Sequence, residues 1–344
     1  MLKKFLKNKK VQVILIIIIL IIIILPFASY RPIYDKSELT YGVTFSARYV
    51  EEMGLDWKAA YLDMLDDLRV KKLRLPAYWN EIEYKPDIFD FADLDWQITE
   101  ASERNVEIIL AIGGRLPRWP ECHYPEWLGF TKSAPSQEVA QYLKKVVERY
   151  RGNPNIIAWQ VENEPFLTHF GECPEINQGM LEAEISLVKE LDSPSGGGAG
   201  RPIIITDSGE LSLWFHAMEQ ADIFGTTMYR DVYSSALGRY IHYPIPPSFF
   251  RLKYNLARSL IVKKPKDYIV IELQAEPWGP KPYYTLTKAE RSRTMDIDKF
   301  REILEYSRQT GFQEFYLWGV EWWYWEKTVN NDDSLWNEAK TLFN

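Results

Sequence analysis

The chain has 344 residues, 46% of them hydrophobic, which is enough apolar material for one large core or two small ones. Acidic residues outnumber basic ones by 48 to 41, a formal charge of −7, and such a surface argues against a nucleic-acid partner. His123, His169, His216 and His242 show no metal-ligand spacing, so neither a metal nor another cofactor is expected.

Lys3, Lys4, Lys7, Lys9 and Lys10 precede Val11 to Leu25, an almost pure Ile/Leu run broken by Gln12. Positive charge ahead of an apolar run predicts that the N-terminus stays cytoplasmic and the rest is exported. Extended through Ala28, the run approaches the roughly 17 residues of a minimal membrane span. Ala28-Ser29-Tyr30 is a poor cleavage site, so residues 1–28 are expected to be an uncleaved transmembrane anchor, with a cleaved signal and secretion as the alternative. Without the five lysines the exported part keeps 36 basic against 48 acidic residues. Residues 29–40 are polar, carry Pro32 and show no period, which predicts a short stalk.

From Tyr41 onward short β-type runs alternate with amphipathic helical patterns, the signature of βα units and a parallel sheet. Eight strands are predicted, at residues 42–45, 72–75, 106–111, 156–159, 202–206, 223–227, 268–272 and 314–318. Helices are clearest at 56–68, 136–151 and 297–310, and further ones are expected near 91–104, 177–191, 211–220, 248–261 and 333–342. In the second, Val139, Tyr142, Leu143, Val146, Val147 and Tyr150 recur at three- and four-residue steps, a stripe that packs on a sheet. Ser136, with Glu138 just inside, reads as its start.

Eight strands close a barrel, so the expected fold class is α/β, a single (β/α)8 TIM barrel over residues 41–344. Ser193 to Gly200 is the one low-complexity stretch, and it reads as a surface loop between the fourth helix and the fifth strand. Cys122 and Cys173 fall in the third and fourth strand-to-helix loops, neighbours on one face of such a barrel. In an oxidising compartment they are placed to pair, the alternative being two thiols.

Loops after strands build the active sites of these barrels, and here those loops hold the aromatic residues Trp79, Trp119, Trp127, Tyr229, Tyr233, Trp278, Tyr283, Tyr284, Trp322, Trp323 and Trp325. Trp79, Trp119 and Trp278 are the candidates for gripping a sugar. Two apolar strands also run into carboxylates: Ile156-Ile157-Ala158 leads to Glu162-Asn163-Glu164-Pro165, and Ile269-Val270-Ile271 to Glu272. Ionised Glu is rarely left in an apolar setting without a partner. Two at one rim have the chemistry to flank a glycosidic bond, one protonating the leaving oxygen and one attacking the sugar carbon.

Asn-Glu-Pro closing one strand, with a later strand ending in Glu, resembles the clan A retaining glycoside hydrolases on (β/α)8 barrels, a cellulase-like family. The resemblance implies that Glu164, directly after Asn and before Pro, is the acid/base, with Glu162 as its rival. It implies that Glu272 is the nucleophile, with Glu276 four residues farther out as the alternative nucleophile or a rim residue for a distal hydroxyl. Asn163 would hydrogen-bond the sugar 2-hydroxyl. Arg74, closing the second strand, would hold the nucleophile charged and oriented. Tyr229, ending the sixth strand, would hydrogen-bond the nucleophile, and Trp318, ending the eighth, would floor the first sugar subsite.

The chain departs from the clan around the third strand, where Gly113-Gly114-Arg115-Leu116-Pro117-Arg118-Trp119 replaces the usual Trp-x-Asn, and it has no His beside Tyr229. The resemblance therefore does not carry the sugar's identity. A β-linked oligo- or polysaccharide is the expected partner, cleaved by endo-β-glucanase or mannanase action or by β-galactosidase-like action. The rival reading is a carbohydrate-binding cell-envelope protein that keeps the barrel without catalysis. The joint presence of both carboxylates argues against it.

Overall fold

In the computed structural model the described residues are 9 and 38–343, apart from 130–134, 169, 172 and 194–199. The expected anchor at 1–28 and most of the stalk lie outside them. Among the described residues no helix is long and apolar enough to cross a membrane.

Among the described residues there are ten strands: β1 (Thr40–Thr44), β2 (Lys72–Pro76), β3 (Glu107–Ile112), β4 (Ile156–Val161), β5 (Ile203–Asp207), β6 (Ile223–Met228), β7 (Asp231–Ser234), β8 (Arg239–His242), β9 (Asp267–Gln274) and β10 (Glu314–Trp318). Eight close into a parallel barrel in the order β1-β10-β9-β6-β5-β4-β3-β2, while β7 and β8 form an antiparallel hairpin. All eight predicted strands are barrel strands, because a strand buried on both faces reads as a continuous apolar run.

The predicted helices appear at Trp57–Asp66, Ala92–Glu103, Ser136–Tyr150, Gln178–Asp192, Phe215–Gln220, Ser248–Leu260, Ile297–Ser307 and Ser334–Lys340. The six stripe residues of Ser136–Tyr150 are all buried. The helix starts at Ser136, its first helical residue, directly after Pro135. The hairpin and a helix at Val320–Val329 were not anticipated. That helix carries Trp322, Trp323 and Trp325 into the core rather than into a cleft.

Alternation along the strands decides what the lumen holds. Ile109, Ala158, Ile204, Ile269, Ile271 and Tyr316 pack together inside the barrel. Two residues further along their strands, Gln160, Thr206 and Trp318 face the same way. Strict alternation would turn Glu272 outward from Ile271. Instead the register slips: Thr226 pairs Val270 but Thr227 pairs Glu272, and Phe315 pairs Val270 but Leu317 pairs Leu273. The extra residue re-aims the strand end, and Glu272 meets the lumen.

Candidate active site

Arg74 is fully buried midway along β2, two residues before the strand end where the sequence placed it, and all three donor nitrogens are engaged. Its Nε donates to Gln160 Oε1 at 2.7 Å, Nη1 to Glu272 Oε1 at 2.8 Å and Nη2 to Asn163 Oδ1 at 2.7 Å. The other oxygen of Glu272 accepts from the Tyr229 hydroxyl at 2.9 Å. Burial, then the charge of Glu272, raises the Tyr229 phenol well above its ordinary value, so it remains a neutral donor.

Glu162 and Glu164 both take the left-handed conformation, φ 58° and 43°, each costing about 1–3 kcal/mol unless the surroundings impose it. They do impose it. Glu162 accepts from the backbone N–H of Gly114 at 2.8 Å and of Arg115 at 2.6 Å, Asn163 N–H donates to Arg115 O at 2.7 Å, and Glu164 N–H donates to Thr206 Oγ1 at 2.8 Å. Glu162 is thereby spent on holding the loop after β3. Glu164 Oε1 is buried and has no hydrogen-bond partner among the described residues. Burial, then the charges of Glu272, Glu121 and Asp207, raises the Glu164 carboxyl well above the usual carboxylate range.

A cavity of about 270 Å³ is lined by Glu164, Glu272, Glu121, Tyr229, Trp278 and Trp318. A second, of about 410 Å³, shares Glu121, Trp278 and Trp318 with it and adds Trp119, Arg118 and Glu276. Trp119 is 65% exposed on the rim, and rings run Trp119–Phe170–Trp278–Tyr229 at centroid spacings of 6.2, 6.1 and 5.0 Å. Trp79 is elsewhere. It is fully buried, packs on Tyr124 and Tyr142 and donates to Glu83, because its side chain points back under a short helix, Trp79–Ile82. That corrects its reading as a sugar contact.

Glu276 does not sit beside Arg74. Its Oε1 accepts from Arg118 Nη1 at 2.6 Å and from Trp318 Nε1 at 2.7 Å. Arg118 also donates to Glu321 at 2.5 Å and lies between the rings of Tyr49 and Trp318 at 4.3 and 4.2 Å. This buried cluster ties Trp318 in place. His123 is part of the same buried loop, its ring against the Arg118 carbonyl at 3.1 Å, and burial lowers it to about 3, so it stays neutral.

Three groups were missed in the sequence. Glu121 accepts from Asn163 Nδ2 at 3.0 Å and is pushed up to about 7 by burial, with Arg115 opposing. Glu210 accepts from the Tyr229 N–H at 2.8 Å, fixing the end of β6. Arg118 forms the cluster just described. The one sequence signal for Glu121 is its place directly before Cys122, which is disulfide-bonded to Cys173 with Cα atoms 5.3 Å apart.

The family Glyco_hydro_42, described as beta-galactosidase, matches residues 57–193. Beta-galactosidase BgaA of Clostridium cellulovorans is 28% identical over 172 residues, 44% of this chain and 25% of that one. The chain thus spans about a quarter of that relative's length. Among solved structures, the exo-beta-1,4-mannosidase Op5Man5 of Opitutaceae bacterium strain TAV5 aligns with a TM-score of 0.54 at 15% identity, over 81% of this chain and 51% of its own. GH5_18 of Streptomyces cattleya, solved with GlcNAc, aligns with a TM-score of 0.55 at 13% identity, over 81% and 70%. At such identities these two bear on the fold alone.

Proposed function

We propose that this chain, one of the clan A (β/α)8 glycoside hydrolases, is a retaining β-glycosidase with Glu164 as acid/base and Glu272 as nucleophile. The observation that carries the reading is one cavity holding two carboxylates in opposite environments. Glu164 has an oxygen without a hydrogen-bond partner among the described residues, and burial and neighbouring negative charge raise its carboxyl well above the usual range. Glu272 has both oxygens fixed by Arg74 and Tyr229.

In the first step Glu272 attacks the anomeric carbon while Glu164 gives its proton to the leaving oxygen. Once the leaving group departs, Glu164 takes a proton from water, and the hydroxide formed releases the sugar from Glu272. Asn163, whose Oδ1 is held by Arg74, presents its amide to the 2-hydroxyl. Trp318 and Trp278 offer apolar faces to the ring. The beta-galactosidase matches make β-galactosides the first substrates to try, and the mannanase-like reading of the sequence adds β-mannosides.

The test is hydrolysis of aryl β-glycosides and β-linked polysaccharides by the full chain, with Glu164→Gln and Glu272→Gln as controls. Turnover abolished in both variants supports the reading. Turnover unchanged in either one contradicts its assignment. Residues 1–28 and the Cys122–Cys173 disulfide support an exported, membrane-anchored barrel; membrane association that withstands high salt, with the barrel open to protease from outside, is the expected fractionation result.

A further inference from the structure

Glu121 is a third carboxylate in the catalytic cavity, and the mechanism above does not use it. It is 6% exposed yet lines both cavities. Its backbone is fixed from several sides: φ is 72°, Leu116 N–H donates to its carbonyl at 2.8 Å, its own N–H donates to Arg118 O at 2.8 Å, and the next residue is in the disulfide. So rigid a placement of an acid is costly unless something hydrogen-bonds it. Among the described residues Oε2 accepts from Asn163 Nδ2 at 3.0 Å.

Asn163 defines where Glu121 stands relative to a sugar. Its Oδ1 is turned to Arg74 Nη2 at 2.7 Å, with Gln160 Nε2 at 3.2 Å and Thr206 Oγ1 at 3.3 Å beside it. The amide nitrogen therefore faces Glu121, which lines the cavity, and among the described residues its second N–H has no acceptor. On a pyranose the 2-hydroxyl has two ring neighbours, the reacting C1 and C3. Glu164 and Glu272 occupy the C1 side, and the acceptor touching Asn163 is left for C3.

We propose that Glu121 is a specificity-determining residue that accepts a hydrogen bond from the 3-hydroxyl of the sugar whose 2-hydroxyl Asn163 holds. Glycosides with a free 3-hydroxyl on the reacting sugar are then substrates, and chains linked through that oxygen are excluded. This rests on the glycosidase reading and names the substrate class within it.

The test compares kcat/KM for 4-nitrophenyl β-galactoside and β-mannoside with their 2-deoxy and 3-deoxy counterparts, in the parent chain, Glu121→Ala and Glu121→Gln. The parent should favour the intact sugar over the 3-deoxy one by roughly 10- to 100-fold, the range of a hydrogen bond to a charged group. At a pH below the alkaline limb, where Glu164 stays protonated in every variant, Glu121→Ala should bring the intact sugar close to the 3-deoxy level, with a much smaller effect on the 3-deoxy rate. Glu121→Gln, which keeps a hydrogen-bonding head group, should fall between, and it carries the comparison if the Ala variant does not fold. Equal losses on intact and 3-deoxy sugars, or loss of 2-hydroxyl discrimination with 3-hydroxyl discrimination intact, would overturn the proposal. No turnover of any glycoside by the parent would contradict the glycosidase reading itself, and the role of Glu121 would fall with it.

Discussion

Arg74 and Glu272 sit on β2 and β9, three strands apart around the barrel, and their side chains close the gap at 2.8 Å with exposures of 0% and 7%. A pair so placed depends on both members, since removing one leaves the other buried and uncompensated. Arg74→Met should lower the free energy of unfolding by about 3–5 kcal/mol, measured by urea titration. It should also reduce kcat/KM by roughly 100-fold or more, as expected when a group fixing the reacting carboxylate is lost. A variant of parental stability and activity would show that the pair is incidental.

The pH profile should respond to Glu121. The charges acting on Glu164 are those of Glu272, Glu121 and Asp207, which raise it, and Arg115, which lowers it. In the proposed mechanism Glu164 must be protonated, so activity should fall as pH rises through its pKa. Glu121→Gln removes one raising charge, and the alkaline limb of kcat/KM should move to lower pH. A limb that stays put, or moves up, would separate Glu121 from Glu164.

Four raised carboxylates should make stability fall as pH rises across the neutral range, with His123, lowered to about 3, opposing them. Burial pushes Glu121, Glu162, Glu210 and Glu276 up to about 7 from an ordinary value of 4.5. A group whose folded pKa is raised binds more protons folded than unfolded, so its contribution is fully present below about 4.5 and is lost as pH rises through about 7. Asp66, Asp67, Asp95 and Asp222 are lowered by their partners and act oppositely, losing their contribution as pH falls below 3.8. The urea midpoint should accordingly be higher at pH 5.5 than at pH 8.

The disulfide closes a sequence separation of 51 residues, for which about 2–4 kcal/mol of stabilisation is typical. It also pins the loop that carries Glu121. Cys122→Ala/Cys173→Ala should lose stability of that order and should lower kcat/KM more on the intact sugar than on its 3-deoxy counterpart. An equal drop on both would confine the disulfide to stability.

Much of this was legible in the residues themselves. Buried strands of a closed parallel barrel advertise themselves as short apolar runs, so all eight were found, and with them Arg74 and Glu272 within β2 and β9, Trp318 ending β10, and Glu164 and Tyr229 just beyond β4 and β6. Period and position do not reveal direction. Trp79 belongs to a strand-end loop like Trp119 and Trp278, yet its indole turns inward onto Tyr142. Glu121 and Arg118 lie in an irregular loop without periodicity, where only three-dimensional contact with Asn163 or Trp318 gives them meaning. The slip in β9 that aims Glu272 inward is likewise a pairing event between strands distant in sequence.

In the proposed mechanism Glu272 attacks the sugar while Glu164 handles the proton, and Glu272→Gly separates the two roles. With the nucleophile gone and Glu164 in place, hydrolysis of an aryl β-glycoside turned over by the parent chain should be lost. Azide entering the vacated space should restore turnover, giving the glycosyl azide of inverted, α configuration. Restored turnover with that product is the predicted result. Parental hydrolysis by Glu272→Gly, or loss that azide at no concentration relieves while Glu164→Gln keeps full activity, would contradict the account.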